Sequence, residues 1–108
     1  MDEQEFERRA EEALDALDGA LGAAAEEYDF EPDFQVGALT VEFEDPPAKF
    51  VVSPNRPVRQ IWVSALLTSF KLGWDEGQGT FVLEKTGQTL AELMEEVIGK
   101  QLGVDVKL

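Results

Sequence analysis

DEQEFERRAEEALDALD, running from Asp2 to Asp18, is the stretch from which the rest of the chain can be read outward. Phe6, Ala10, Ala13, Leu14, Leu17 and, just beyond, Leu21 recur at three- and four-residue spacing, so they line one stripe of an α-helix that can face a core. Asp2 is placed to cap that helix, with Glu5 closing the box three residues later. Glu3, Glu7, Glu11 and Asp15, each four apart, line the outer side, and Glu12 and Asp18 flank them. Like charges at that spacing repel by roughly 0.2–0.5 kcal/mol per pair. A helix that needed only solubility would intersperse lysines, yet here only Arg8 and Arg9 interrupt the acids. This uncompensated ridge is the first indication of function, and a plain solvated face is the reading it must be weighed against.

Past Gly19, Gly22 and the uncharged run Ala23, Ala24, Ala25, the period changes from helical to alternating. Phe30, Phe34 and Val36 alternate with Glu31, Asp33 and Gln35, which predicts a strand with one buried face and acids that lie beside the helix ridge. Leu39, Val41 and Phe43 alternate with Thr40, Glu42 and Glu44 in a second strand. Asp45-Pro46-Pro47 is turn chemistry and leads to a third strand over 49–53, which Pro54 and Pro57 are expected to end by removing ladder donors. Arg59–Ser64 (RQIWVS) resumes a strand, and 68–74 and 79–83 supply two more around the turn Asp75-Glu76-Gly77. Thr89 and Glu92 form a second capping box. It opens a helix buried through Leu90, Leu93, Met94, Val97, Ile98 and Leu102 and stopped by Gly103. Val104, Val106 and Leu108 alternate in a tail that packs back. The order helix, about six strands, helix predicts an α+β fold. It is an α-β sandwich with both helices on one face of a twisted antiparallel sheet and the other face open, as a single domain over 1–108.

The 108 residues, 44% of them hydrophobic, suffice for one core. The net charge of −14 is carried entirely by residues 1–45, which hold sixteen acidic side chains and two arginines, whereas residues 46–108 hold seven of each sign. Such a molecule is a poor partner for nucleic acid or an anionic membrane and a good one for cations or a basic protein surface. There is no Cys and no His. Thiolate chemistry, cysteine-held clusters and an imidazole base are therefore excluded, and any bound metal must accept oxygen ligands alone. No apolar run approaches ~20 residues and no secretory signal opens the chain, so a soluble cytoplasmic protein is expected.

Two constellations carry chemistry. Carboxylates one helical turn apart, roughly 6 Å, let a divalent or trivalent cation bridge two of them with water completing its shell, at modest affinity. In RQIWVS, Ile61 and Val63 share the core side while Gln60, Trp62 and Ser64 share the other. An exposed tryptophan on a rigid sheet is a candidate protein-binding hot spot. The alternative is a register slipped by one, with Trp62 in the core. Exposed carboxylates lack the burial that separates the two pKa values of an acid–base pair, and no nucleophile elbow, phosphate loop or dinucleotide fingerprint occurs, so no enzyme activity is expected.

Taken together, DEQEFERRAEEALDAL, GALTVEF, the Pro-x-x-Gln-Ile-Trp-Val-Ser run at Pro57–Ser64, Trp74 and the helix containing LAELMEEV make the chain resemble the frataxins, most closely the bacterial members, over essentially its whole length. The resemblance implies an α-β sandwich that binds Fe²⁺ or Fe³⁺ weakly along the ridge and docks to a cysteine desulfurase and its scaffold protein in iron–sulfur cluster assembly. It maps the metal acids onto Glu3, Glu7, Glu11, Glu12, Asp15 and Asp33, to which Asp18 is added from the ridge. It maps the scaffold contact onto Gln60 and Trp62, with Ser64 and Asn55 beside them. An iron donor or regulator is the leading reading. The alternative is an acidic docking module for a basic partner, with iron incidental, and weak ferroxidase chemistry has no support in the spacing. The chain departs from the family in Ser53, in Phe81 where tryptophan is frequent, and in the apolar segment Ala65–Phe70. A monomer is expected, with self-association driven by iron or by Leu66, Leu67 and Phe70.

Overall fold

The computed structural model describes every residue from 1 to 108. Helix α1 spans Glu3–Ala24, opened by Asp2, whose side chain accepts the Glu5 N–H at 2.8 Å. It runs straight through Gly19 and Gly22. Each glycine costs a helix about 1 kcal/mol, and the burial of Leu17, Leu21 and Ala24 on the same stripe offsets that cost. Six strands follow, β1 (Glu31–Gln35), β2 (Ala38–Glu44), β3 (Pro47–Asn55), β4 (Gln60–Ala65), β5 (Thr68–Asp75) and β6 (Thr80–Leu83), and then α2 (Leu90–Leu102). The strands form one antiparallel sheet in simple chain order, each paired with its sequence neighbour.

Both helices cover one face of that sheet. The core holds 23 buried residues, all apolar, drawn from α1, α2 and the helix-facing positions of the strands, with Phe30 just before β1 and Val106 of the tail. Phe6 of α1 meets Phe81 of β6 edge-on at 5.9 Å, which ties the first helix to the last strand. Helix α2 has a reciprocal cap: the Glu92 N–H donates to Thr89 Oγ1 at 3.2 Å, and the Thr89 N–H donates to Glu92 Oε1 at 2.9 Å. After Gly103 the tail turns back, burying Val106 and donating the Leu108 N–H to Glu95 Oε2 at 2.8 Å, while Val104 stays exposed. The tail passes so close to α2 that a Cβ at Gly99 would sit 2.9 Å from the Val104 carbonyl oxygen. Neither helix is long and apolar enough to cross a membrane.

Three sequence expectations are corrected. Val36 is not the last buried residue of β1. With Gly37 it forms the two-residue turn to β2, at φ 29° and 75°, and its side chain is fully exposed. Such turns require positive φ at both positions, which suits Gly37 and strains a β-branched valine. Strand β3 does not stop at Ser53 but includes Pro54, opposite Ile61, and Asn55, opposite Gln60. The pairing with β2 has ended at Val52, so Pro54 lies where β3 has a strand neighbour on one side only, a place a sheet tolerates proline. Finally, Phe70 lies against the core on the helix side, opposite Val63, leaving Leu66 and Leu67 as the exposed tip of the β4–β5 hairpin at φ 53° and 61°.

Candidate metal and partner-docking site

Glu3, Glu7, Glu11 and Asp15 recur every fourth residue and so stand in one row along α1, bordering the buried stripe because Glu7, Glu11 and Asp15 each directly follow one of its members, Phe6, Ala10 and Leu14. Glu3, Glu11, Glu12 and Asp15 are exposed, and Glu7 and Asp18 are half-buried. The basic residues answer only part of the row. Arg8 reaches Glu12 at 3.7 Å, and Arg9 lies between Glu5 at 4.0 Å and Glu12 at 3.9 Å. Arg56, from the loop between β3 and β4, pairs with Glu7 at 3.2 Å. Exposed pairs of this kind contribute little, about 0–1 kcal/mol each. Glu3, Glu11, Asp15 and Asp18 form no ion pair at all.

The row is linear. No three carboxylates anywhere in the chain converge closely enough to enclose an ion, so the ridge offers successive two-carboxylate bridges and no cage. Asp33 does not join it. The register places Asp33 opposite Thr40 on the open face of β1, where its carboxylate accepts a hydrogen bond from the Gln35 side chain at 3.0 Å, while neighbouring Phe34 turns towards the core. Glu31 follows the same alternation. The acids of β1 thus share an edge of the molecule with the ridge but face the other way.

Between the ridge and the sheet lies a cleft of about 370 Å³. Its floor is apolar, made by Phe6, Ala10, Leu14, Phe34 and Pro54, and its rim carries Glu7, Glu11, Asp15 and Arg56. No local pattern announces this cleft, since its walls come from α1, β1 and the end of β3.

On the open face, the register lines up Asn55, Gln60, Trp62 and Ser64, the four residues expected to meet a partner, on two adjacent strands. Ile61 and Val63 are fully buried on the helix side, so the register is the unslipped one. Trp62 is half-buried, held by the hydrogen bond its Nε1 donates to Gln60 Oε1 at 3.0 Å. Lys71 of β5, unremarked in the sequence, places its Nζ 4.9 Å from the indole centroid. The indole is thereby presented in one orientation on a rigid platform, which lowers the entropy cost of binding through it.

A family model described as a frataxin-like domain matches residues 1–104 of this chain. An iron–sulfur cluster assembly protein CyaY from Pseudomonas entomophila is 32% identical over 99 residues, covering 90% of this chain and 89% of the relative. The protein of the same name from Azotobacter vinelandii is 29% identical over 103 residues, covering 94% of this chain and 93% of its own. Among solved structures, a frataxin from Psychromonas ingrahamii superposes with a TM-score of 0.84 at 20% identity, spanning 99% of this chain and 97% of that one.

Proposed function

The chain belongs to the frataxin-like family, and from that membership we propose that it acts in iron–sulfur cluster assembly in the cytoplasm, carrying iron loosely on the α1 ridge and docking to the assembly machinery. The observation that supports the iron step is the run of carboxylates on α1 left without cations, in a chain whose other half is neutral. Iron is cargo in this reading. Two-carboxylate bridges with open water positions hold a hard cation and also release it, which a carrier needs and a closed cage would prevent. The open-face indole, buttressed by Gln60 and Lys71, serves as the anchor for a scaffold protein, and the ridge as the contact for a basic desulfurase surface. No catalytic step is assigned to this chain.

Amide spectra during an Fe²⁺ titration test the iron step. Broadening should concentrate on residues 3–18, leave α2 sharp, and affect Asp33 separately if at all, since it faces elsewhere. Ridge amides that stay sharp at millimolar Fe²⁺ would refute it. One observation favours a second reading, a docking module with iron incidental: the acids lie in line and do not converge. Under that reading a metal-free protein binds desulfurase as tightly as the iron-loaded one, with strong salt dependence.

A further inference from the structure

On the flank of α1 opposite Glu7 and Glu11, Arg9 lays its guanidinium over Trp74 of β5, 5.1 Å from the ring centroid. Arg9 Nε and Trp74 Nε1 are both buried, and neither donates a hydrogen bond to any group of the chain. The two residues line a notch of about 250 Å³ with Glu12, Gly79 and Thr80 at its edge. Beside it, between the two helices, runs a groove of about 300 Å³ floored by Leu17 and Leu90 and walled by Ala16, Ala20 and Ala91. Ala13 and Thr80 are common to both hollows, which makes them one furrow. We propose that this furrow seats an extended, uncharged segment of a partner protein. Leucine-sized side chains of that segment fill the spaces between the alanines, one of its main-chain carbonyls accepts from Trp74 Nε1, and Arg9 is the cover that swings aside to admit it. This is a docking surface apart from the acidic row and from the open face of the sheet, and it does not depend on either.

The groups of the furrow select the occupant. Both unsatisfied atoms are N–H donors, so an acceptor completes them. An anion would stand beside Glu5 and Glu12 in a chain of net charge −14, whereas a peptide carbonyl meets the donor without charge. The groove contains no charged residue, and the small side chains on both helices leave room for larger ones on the visitor. From Arg9 to Ala20 the helix rises about 16 Å, the span of about five extended residues. Arg9 is loosely held. Its carboxylate neighbours, Glu12 at 3.9 Å and Glu5 at 4.0 Å, are too distant for hydrogen bonds, and its contact with the indole is weak at so open a site. A single bound water would satisfy the same donor without touching the groove, which separates the two occupants by experiment.

The test titrates acetylated, amidated Ser-Leu-Ala-Leu-Ser into the full chain and follows amide and indole N–H resonances. The Trp74 indole proton should move downfield and saturate together with the amides of Ala13, Ala16, Thr80 and Ala91. The Trp62 indole, already bonded to Gln60, should stay in place. A peptide with both leucines replaced by alanine should bind about tenfold more weakly or worse, having lost the apolar area that fills the groove. A version with glutamate at both ends should bind more weakly than the neutral one. Trp74→Phe keeps an aromatic ring against Phe81 but removes the donor, and should weaken the leucine peptide about two- to tenfold, the net worth of one hydrogen bond. Ala16→Gln, an exposed position on the groove wall, should also weaken it, while Ala23→Gln, exposed on the same helix outside the groove, should not. A silent Trp74 indole at millimolar peptide, tighter binding of the acidic peptide, or equal affinity in Ala16→Gln and Ala23→Gln would overturn the proposal. An indole proton that contacts water alone and ignores every peptide would do the same.

Discussion

Replacing Glu11 with lysine should stabilise the protein. Glu11 is exposed at the middle of the ridge, four residues after Glu7 and four before Asp15, and forms no ion pair. Each neighbour lies roughly 6 Å away along the helix. At the dielectric of water one such repulsion is about 0.7 kcal/mol, and a Debye length of about 8 Å in physiological salt reduces it to about 0.3 kcal/mol. Glu11→Lys converts two repulsions into two attractions, a change of about 1.2 kcal/mol, of which the entropy of holding two long side chains together leaves about 1 kcal/mol. Both residues are good helix formers, so propensity cancels. For a domain of this length the melting temperature should rise by about 4 °C. Thermal unfolding at low, physiological and about 1 M salt reads it directly, and the gain should vanish at the highest salt, where the Debye length is only about 3 Å. A variant that melts no higher than the parent at low salt would refute a mutually repelling ridge.

Other perturbations probe other parts of the molecule. Trp62→Ala should weaken binding to a scaffold protein while costing under about 1 kcal/mol of stability, the scale of the Lys71 contact it loses. A much larger drop in melting temperature would make the indole structural. Replacing Leu66-Leu67 by Asn-Gly should stabilise by about 1–2 kcal/mol in urea unfolding, because left-handed backbone costs an ordinary residue about that much. An unchanged midpoint would show that the turn is not strained. Gly99→Ala should destabilise despite its gain in helix propensity of about 1 kcal/mol, since the new methyl meets the Val104 carbonyl. In a chain shortened before Val104 the same substitution should become stabilising, and failure of that sign reversal would clear the tail of responsibility.

Much of the architecture is legible because alternation is a local signal. Leu39, Val41, Phe43, Ile61 and Val63 declare their faces without reference to anything distant, and all are buried where alternation puts them. What escapes depends on where chains turn and where neighbours end. Val36 extends an alternating run in sequence, but the two-residue turn with Gly37 takes it out of the strand. Leu66-Leu67 carries no turn residue at all, so only the pairing of Ala65 with Thr68 reveals a hairpin there. Pro54 obeys the rule against proline in central strands in a way no local reading shows, because the extent of β2 decides whether its position is central. Asp33 was decidable: if Phe34 faces the helices, its neighbour faces away, and the acids of β1 cannot lie beside the ridge. The cleft was not, since Arg56 and Glu7 meet only once the sheet has been built.

Each strand pairs with the one made immediately before it, whereas the two covers of the sheet are the first and last elements of the chain. During synthesis the hairpins can zip together one after another, a route of low contact order. The roof over them stays half finished until Leu93, Met94, Val97 and Ile98 leave the ribosome, and a bare sheet face invites association with other unfinished copies. Helix α1, made before the strands, holds seven acids against two arginines and helps drive such copies apart. Chains stalled before Leu90 should therefore be quickly cut by protease yet remain dispersed, kept apart by the anions of the helix already made.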